Sequence, residues 1–390
     1  MQRFFLPFYL ALKEVWRNKG RFLLVSLVIA LITLLVLFIA ALGEGLGNGN
    51  REYLAKLNAD LLVYQAKSDL LIAASRLPRS QLSALRRVAG VADVGPIATA
   101  NVTLILPGGA APLKVAMLGV EPGRPGEPQV VEGQQLTTQS AKEAILDRNV
   151  VLRTHLKVGD ILTLRVTQGT SDQFYTLRVV GVSDSQQYSL QPAIFVPDFT
   201  WDLVRPKSEA EVTAAGPDLV FNIAAVKLAN PAESEAVKQR LQAEVLNTEA
   251  VTIVQAIEAV PGYTAQQSTI QTQGVFTLII GVLVIGGFFQ IQVLQKVAQI
   301  GVLKAIGASN SVVAAASVLQ IMITTVVGVA LGGGGTFLLS LSFPPTVPIV
   351  FNGQASALAI VALLLIGPIG GLVSIRYAVQ IEPLKALGLS

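Results

Sequence analysis

Residues 22–42 read FLLVSLVIALITLLVLFIAAL, a run of 21 residues without a charged side chain. At about 1.5 Å per residue, a helix of this length spans roughly 30 Å, the thickness of a bilayer's hydrocarbon core. Residues 274–294, 312–341 and 355–375 are also free of charge. Buried helices of soluble proteins are rarely apolar over so many residues, so the sequence predicts four transmembrane helices.

The first apolar run has a competing interpretation as a cleavable signal peptide. The apolar core of a signal peptide is normally about 7–15 residues long, which is shorter than this run. Ala41-Leu42-Gly43 resembles a cleavage site only faintly. In residues 1–21, aromatic and basic side chains alternate at helical spacing, which is typical of an amphipathic helix on the membrane surface. An anchored first helix is therefore favoured over a cleaved one.

The composition excludes several kinds of chemistry. The chain has 390 residues, 14% of them charged, and no cysteine, so disulfides and cysteine-ligated metals are excluded. His155 is the only histidine, which leaves a histidine-centred triad or a multi-histidine metal site without partners. The sequence contains no G-x-x-x-x-G-K-[ST] loop for nucleotide phosphates. We therefore expect no catalytic site, no metal and no cofactor on this chain, and no nucleic-acid partner.

The distribution of Lys and Arg predicts the orientation. Residues 1–21 contain five basic side chains and one acidic one, and residues 295–311 contain two basic and none acidic. Residues 376–390 add two basic and one acidic, whereas residues 43–272 carry 20 basic and 23 acidic side chains. Basic residues near membrane helices stay in the cytoplasm. Both termini and the 295–311 loop are thus predicted to be cytoplasmic, with the large domain outside.

The segment between the first two spans reads as an α+β domain. Strand-like stretches such as residues 60–65 alternate with helix-like ones such as residues 231–246. Three prolines and three glycines in residues 121–133 indicate a boundary between lobes. The predicted fold class is therefore an α-helical integral membrane protein with four transmembrane helices and a large α+β extracytoplasmic domain between helices 1 and 2.

The predicted organisation has nine segments. They are a cytoplasmic amphipathic helix 1–21, a first span 22–42, an extracytoplasmic domain 43–273, a second span 274–294, a cytoplasmic coupling helix 295–311, a third span 312–341, a short outer loop 342–354, a fourth span 355–375 and a cytoplasmic tail 376–390. Within the domain, residues 43–120 and 226–273 are predicted to form a porter-like lobe and residues 121–225 a β-rich outer lobe.

The predicted spans contain no Asp, Glu, Lys, Arg or His, which argues against a proton-driven carrier. Gln290, Gln292 and Gln320 are their most polar candidates, and interhelical hydrogen bonding is the expected role. The glycines at 332–335 lie within an apolar span, so they indicate close helix packing or a hinge rather than a phosphate loop.

Residues 299–309 read QIGVLKAIGAS, the most specific motif in the chain. This stretch resembles the E-I-G-x-L-[KR]-A-[IL]-G-A-[ST] signature of the FtsX-like (MacB-type) ABC transporter permeases, with Gln299 in place of the usual glutamate. Residues 11–21 (ALKEVWRNKGR) and 376–387 (RYAVQIEPLKAL) are similar to the segments that open and close this family's membrane part. Residues 146–182, with a V-G-D turn before β-strands, are similar to its outer lobe.

The resemblance implies that a short helix after the second span couples to an ATPase subunit. The residues expected to make this contact are Gln299, Ile300, Gly301, Leu303, Lys304, Ala305, Ile306, Gly307 and Ala308. Val297, Ile300, Leu303 and Ile306 recur at three-residue steps, which indicates an amphipathic helix. Such a helix either docks in a groove of a partner or rests on the bilayer surface.

The implied function is that of a transmembrane permease subunit in a bacterial cytoplasmic (inner) membrane. ATP and Mg would be bound by a separate ABC ATPase subunit, and a second permease copy or homologue would complete a dimer. The complex would export or release a lipoprotein, lipid, peptide or drug-like molecule, aided by a periplasmic adaptor. The alternative is a non-transporting anchor that regulates an extracytoplasmic enzyme such as a cell-wall hydrolase, and a third is an enzyme on a membrane anchor.

The predicted topology can be tested with single cysteines, because the chain contains none. Gly108→Cys and Gln187→Cys should react with a membrane-impermeant maleimide in intact cells, because residues 43–273 are predicted to be outside. Asn310→Cys should react only after the cells are opened. Labelling of residue 310 from outside would exclude the four-span topology.

Overall fold

In the computed structural model, the described residues are 2–106, 111–184, 187–213, 219–343, 347 and 349–381. The helices are α1 Gln2–Arg17, α2 Lys19–Ala55, α3 Ser80–Leu85, α4 Arg148–Thr154, α5 Asp198–Val204, α6 Glu209–Thr213, α7 Ser234–Glu244, α8 Ile253–Glu258, α9 Tyr263–Gln295, α10 Val297–Ala305, α11 Asn310–Ser340 and α12 Gly353–Gln380. Labelling position 108, most of the tail 376–390 and part of the loop 342–354 lie outside the described residues.

Among the described residues, four helices are long and apolar enough to cross a membrane. They are Lys19–Gly49 within α2, and α9, α11 and α12 in full. The predicted spans fall on these helices, but α2 continues to Ala55 and α9 already begins at Tyr263. A helix satisfies its own backbone hydrogen bonds, so these ends need no change of structure where the chain leaves an apolar medium.

The chain divides into a membrane unit and an α+β unit. The membrane unit contains the residues up to Gly45 and those from Gln267 onward, and the α+β unit contains Leu46–Gln266. Each unit has its own buried apolar clusters.

Glycines on α11 allow close approach to α2 in the membrane unit. A Cβ atom built at Gly328 would lie 2.6 Å from the Cβ of Ile29. At Gly332, four residues later, a Cβ would collide with the carbonyl oxygen of Ala30. This small-xxx-small spacing places both glycines on one helix face.

Glycines also allow close approach where α12 meets α9 and α11. A Cβ at Gly286 of α9 would lie 2.6 Å from the carbonyl oxygen of Gly370. Gly367 and Gly371, again four residues apart, face Thr325 and Ile321 of α11. Backbones therefore meet at two helix pairs, α2 with α11 and α9 with α12, whereas the glycines of α12 that face α11 make room for its side chains. Both arrangements give van der Waals contact where the hydrophobic effect between helices is weak.

The glycine run at 332–335 is used for packing at Gly332. Space is open around Gly334, and α11 runs unbroken through the whole run. Of the two predicted roles, close packing is therefore confirmed at Gly332, whereas the helix shows no break that would mark a hinge.

The α+β unit is built on strands β1 Leu61–Gln65, β2 Leu77–Pro78, β3 Val91–Ile105, β4 Leu113–Val120, β5 Val130–Gly133, β6 Glu143–Asp147, β7 Ile161–Gln168, β8 Ser171–Ser183, β9 Ala193–Pro197, β10 Val220–Phe221, β11 Ile223–Leu228 and β12 Thr248–Thr252. In the described part of the chain, ten strands form one mixed sheet in the order β12-β1-β11-β3-β4-β9-β6-β8-β5, with β7 paired to β3 and β8. Strands β10 and β2 pair separately.

Both faces of the sheet centre are buried. Along β1, Leu61 and Val63 belong to one apolar cluster, whereas Leu62 and Tyr64 belong to a second one. Successive side chains of a strand point to opposite faces, so a strand covered on both sides reads as a continuous apolar run. This is the physical reason for the sequence LLVY at residues 61–64.

The sheet crosses the predicted boundary between the porter-like lobe and the β-rich outer lobe. Strand β4 lies before residue 121 and β9 after it, yet the two pair in parallel, with Met117 opposite Ile194. Strand β3 also pairs with β7 over residues 103–105. The α+β unit is thus one continuous sheet across this boundary.

The predicted helix 231–246 is also shorter than expected. It consists of a 3₁₀ turn, Pro231–Glu233, followed by α7. Asn230 caps the turn, and its side chain accepts a hydrogen bond from the Ala232 amide.

Glycine packing leads to a prediction with a matched control. Gly332→Ala should destabilise the membrane unit by roughly 1–3 kcal/mol, because overpacking a close helix contact costs this much. Gly334→Ala should be neutral or slightly stabilising, because its surroundings are open and alanine favours the helix by about 0.8–1.0 kcal/mol. The measurement is the SDS-induced unfolding midpoint in detergent micelles. Equal midpoints for the two variants would contradict glycine-mediated packing.

Candidate functional site

Helix α10 is the short helix between the second and third spans, and it contains most of the predicted coupling residues. It begins after Lys296, and Gly307 just beyond its last turn terminates it. The φ of Gly307 is +105°, which is readily adopted only by glycine. The Gly307 amide donates to the Lys304 carbonyl at 3.0 Å, and the Ala308 amide to the Leu303 carbonyl at 3.1 Å. These two bonds form a Schellman motif, so the predicted stop at Gly307 is confirmed.

One side of α10 packs against the membrane helices. Val297, Ile300 and Leu303 contact a buried cluster at this end of the bundle. The members of the cluster are Val293, Val313, Ala378 and Ile381. The inward side of the helix is therefore committed to the bundle, and we call this region the α10 end.

The opposite side of α10 is exposed. The side chain of Ile306 is 81% exposed and that of Val302 is 42% exposed. Each three-residue step falls about 60° short of a full turn, so the three steps from Val297 to Ile306 rotate the side chain by about 180° around the helix axis. The row predicted from the sequence as one face is thus divided, with Ile300 and Leu303 inward and Ile306 outward.

The remaining predicted residues also differ in their surroundings. Gly301 is buried, Lys304 and Ala308 are half-buried, and Gln299, Ala305 and Gly307 are exposed. Val302 is exposed but was not among the predicted contacts. Its angular position on the helix could have identified Val302 as a contact residue, because it lies about 40° from Ile306 around the helix axis.

Lys304 ties α10 to the end of α12. Its Nζ donates to the carbonyl oxygens of Val379 and of Ile381, the latter at 3.0 Å. The last carbonyls of a helix have no partner within the helix, and the helix dipole makes that end negative. An ammonium group is therefore well suited to cap α12, and these bonds join α10 to the end of that helix.

Glu14 joins its own helix α1 to two other elements at the same end. Its Oε1 lies 2.7 Å from Nζ of Lys296, and its Oε2 accepts a hydrogen bond from Nε2 of Gln320 at 3.0 Å. Lys296 also lies over the ring of Phe22, 5.4 Å from its centroid. The carboxylate connects α1, the α9–α10 junction and α11, and the interhelical role predicted for Gln320 is confirmed.

A cavity of about 200 Å³ lies beside this carboxylate. Apolar side chains from α1, α9, α10, α11 and α12 line much of it. Its polar lining residues are Glu14, Gln292, Lys296, Gln299, Ser317, Gln320 and Ser374. Cavities weaken packing locally because atoms on their walls lack contact partners. The α10 end therefore combines polar ties with loosely packed space.

No group of three or more His, Cys, Asp or Glu residues that could hold a metal occurs within the described ranges. His155 is exposed at the C-terminal end of α4, with φ of +58°.

Two family models match the chain. The MacB-like periplasmic core domain matches residues 22–244, and the FtsX-like permease C-terminal model matches residues 273–383. The second match contains α10 and the whole α10 end, but neither α1 nor Phe22.

Curated relatives match over nearly full length. The putative hemin transport system permease protein HrtB of Staphylococcus haemolyticus is 26% identical over 97% of this chain and 99% of that protein. An uncharacterized ABC transporter permease of Mycobacterium tuberculosis is 22% identical with the same coverage of both chains.

Solved structures that match cover the outer region. The extracellular domain of the ABC-type transporter YknZ from Gram-positive bacteria matches with a TM-score of 0.34 and 13% identity, over 50% of this chain and 100% of that one. The periplasmic region of MacB from Actinobacillus actinomycetemcomitans matches with a TM-score of 0.34 and 11% identity, over 52% of this chain and 92% of that one.

The capping role of Lys304 can be measured with a cysteine at Ala378, which is fully buried. In an Ala378→Cys background, Lys304→Met should speed maleimide labelling at least about tenfold, because hydrogen bonds of a charged group contribute roughly 1.5–3 kcal/mol. Lys19→Met, which removes an exposed lysine, is the control and should leave the rate unchanged. An unchanged rate for Lys304→Met would mean that apolar packing alone holds α10.

Proposed function

Because the chain belongs to the family of FtsX-like ABC transporter permeases with a MacB-like periplasmic core domain, we propose that it transmits force from a separate ATPase subunit to its outer domain. It is a multi-pass cell-membrane protein with an α+β extracellular domain between its first and second spans. In the proposed orientation, both termini and the α10 end are cytoplasmic, as the distribution of basic residues predicts.

The observation that carries the proposal is the attachment of α10. The helix is bonded to α12 through Lys304, and Lys296 at its start is paired with Glu14 of α1. A push on α10 would therefore reach α12, α1 and α11 together rather than bend a free loop. This is the mechanical property that a coupling helix needs.

The exposed face of α10 is the proposed docking surface for the ATPase. Ile306 and Val302 offer apolar area for a groove in the partner, and Gln299 and Ala305 are exposed beside them. Helix-in-groove docking buries such apolar side chains on the partner. ATP and Mg would be bound by the partner subunit, and closure of its nucleotide sites would drive the movement.

The outer domain would convert this movement into release or export. Helices α2 and α9 run without interruption from candidate spans into the α+β domain, so a tilt of either span reaches that domain through the helix itself. We propose a second copy of the permease as the partner against which the outer domain closes. An amphiphilic cargo already in the outer leaflet or outside would then need no polar pathway through the spans.

Hemin is the first cargo to test. The relatives named as putative hemin permeases match 97% of this chain, although at 26% identity or less. Hemin is amphiphilic and partitions into membranes, so it suits the proposed route. The alternative function, a non-transporting regulator of an outer enzyme, would use the same ATPase contact but no cargo.

Docking through the exposed face predicts that Ile306→Asp uncouples the complex. Burial of one aliphatic side chain contributes roughly 1.5–3 kcal/mol, so the affinity for the ATPase should fall at least about tenfold. Because Ile306 is exposed, the thermal melt of the isolated permease should be unchanged. The measurement is the amount of ATPase that co-purifies with the permease.

Two comparisons make the test specific. Ile161→Asp, at a 70% exposed position on β7, should leave co-purification unchanged. Leu303→Asp should instead lower the melting temperature, since Leu303 packs inward. Normal co-purification with Ile306→Asp would leave α10 as a connector on the membrane surface and would favour the anchor function.

A further inference from the structure

A second cavity, of about 440 Å³, lies within the α+β unit. Its walls come from the end of α2 at Leu54, residues 70–74, the turn at Tyr188 and Ser189, Ala256 of α8, and Pro261. None of its lining residues carries a charge. The volume falls within the range of about 300–1,000 Å³ that is typical of small-molecule pockets.

Two tyrosines lie at this cavity. Tyr64 of β1 is fully buried, and among the described residues its hydroxyl has no hydrogen-bond partner. The ring of Tyr188 lies edge-on to that of Tyr53, with 5.8 Å between the ring centroids. Burial raises the pKa of Tyr64 and of Tyr188, so both hydroxyls stay protonated at neutral pH. Tyr64 therefore remains a hydrogen-bond donor without an acceptor.

An unpaired donor beside an apolar space indicates a missing acceptor. A buried polar group without a partner costs free energy, and native proteins rarely leave one. Water suits such a space poorly, because an ordered water needs two to four polar partners. A ligand with an apolar body and one acceptor would satisfy both the cavity and the hydroxyl.

The loop at residues 66–75 forms one wall and is anchored at its end. Ser75 Oγ accepts a hydrogen bond from the Gln65 amide at 2.8 Å and donates to the carbonyl oxygen of Asn222. Between these anchored residues, Leu70, Leu71 and Ile72 turn apolar side chains toward the cavity. The loop thus closes the space with apolar surface and fixed ends.

We propose that this cavity binds a small amphiphile whose ester or carbonyl oxygen accepts a hydrogen bond from Tyr64. The apolar body would be about the size of one medium acyl chain, and it would come either from a membrane lipid or from a dissolved compound. All of its lining residues lie in the α+β unit, so binding at this cavity can be measured without an ATPase.

The test uses the full chain in lipid nanodiscs and photo-crosslinking. The dissolved probe is methyl decanoate with a diazirine on its chain, and its matched partner is decane with the same diazirine but no ester. In a second arm, the diazirine is carried by an acyl chain of the disc phospholipid. Peptide mass spectrometry should find saturable adducts within residues 70–74 or 256–261. The arm that gives them identifies the source, and adducts confined to the spans in both arms would overturn the proposal.

Variants separate the hydrogen bond from the cavity. Tyr64→Phe should lower the affinity for the ester probe at least about fivefold, because it removes one hydrogen bond. The affinity for the decane probe should not fall. Ala74→Phe and Ala256→Phe should reduce labelling by both probes, because each fills the cavity. Two positions are used so that the test still stands if one of the variants misfolds. Leu246→Phe, at a highly exposed position outside the cavity, is the control. Equal labelling of the control and both filled variants, with normal melts, would also overturn the site.

Discussion

Backbone contact at glycine is the constraint on which the membrane unit depends. Lipid tails are as apolar as the helix side chains, so burial alone does not drive these helices together. Contact instead comes from places where glycine lets two helices approach closely. Backbones touch at Gly286 with Gly370 and where Gly328 and Gly332 lie against α2, and Gly367 and Gly371 make room for side chains of α11. The buried cluster around Ile29, Ile285 and Ile366 fills the space between these contacts.

The α10 end is held differently from the rest of the bundle. Here charged and amide side chains join the elements, with Lys304 on the carbonyls of α12 and Glu14 between Lys296 and Gln320. Partly buried charged bonds are directional, so they transmit displacement between specific helices. Tight glycine contacts along the helices and polar ties at one end are what the proposed tilting of the bundle as one body would require.

The two cavities differ in their lining and in their surroundings. The one beside Glu14 is polar on one side and lies among helices that are proposed to move. The one beside Tyr64 is uncharged and lies against the sheet, where the alternating pattern of β1 turns a tyrosine toward it. The first suits a joint and the second suits a ligand, because movement needs loose packing whereas binding needs fixed walls and a placed donor.

The sequence by itself determined the four spans, the α+β domain between the first two, and the family, because apolar length, strand alternation and the QIGVLKAIGAS motif are local properties of the chain. It also determined where α10 ends, since Gly307 suits a left-handed turn. Only the tertiary structure decided that Gly332 is a contact while Gly334 is open, and that Leu303 faces inward while Ile306 faces outward. The physical reason is that a glycine or an aliphatic side chain has no preference for one neighbour, so its role depends on which helix lies opposite and on the phase of its own helix. The ties of Lys304 and Glu14 likewise join residues 75 and 306 positions apart from their partners, and no local pattern specifies such pairs.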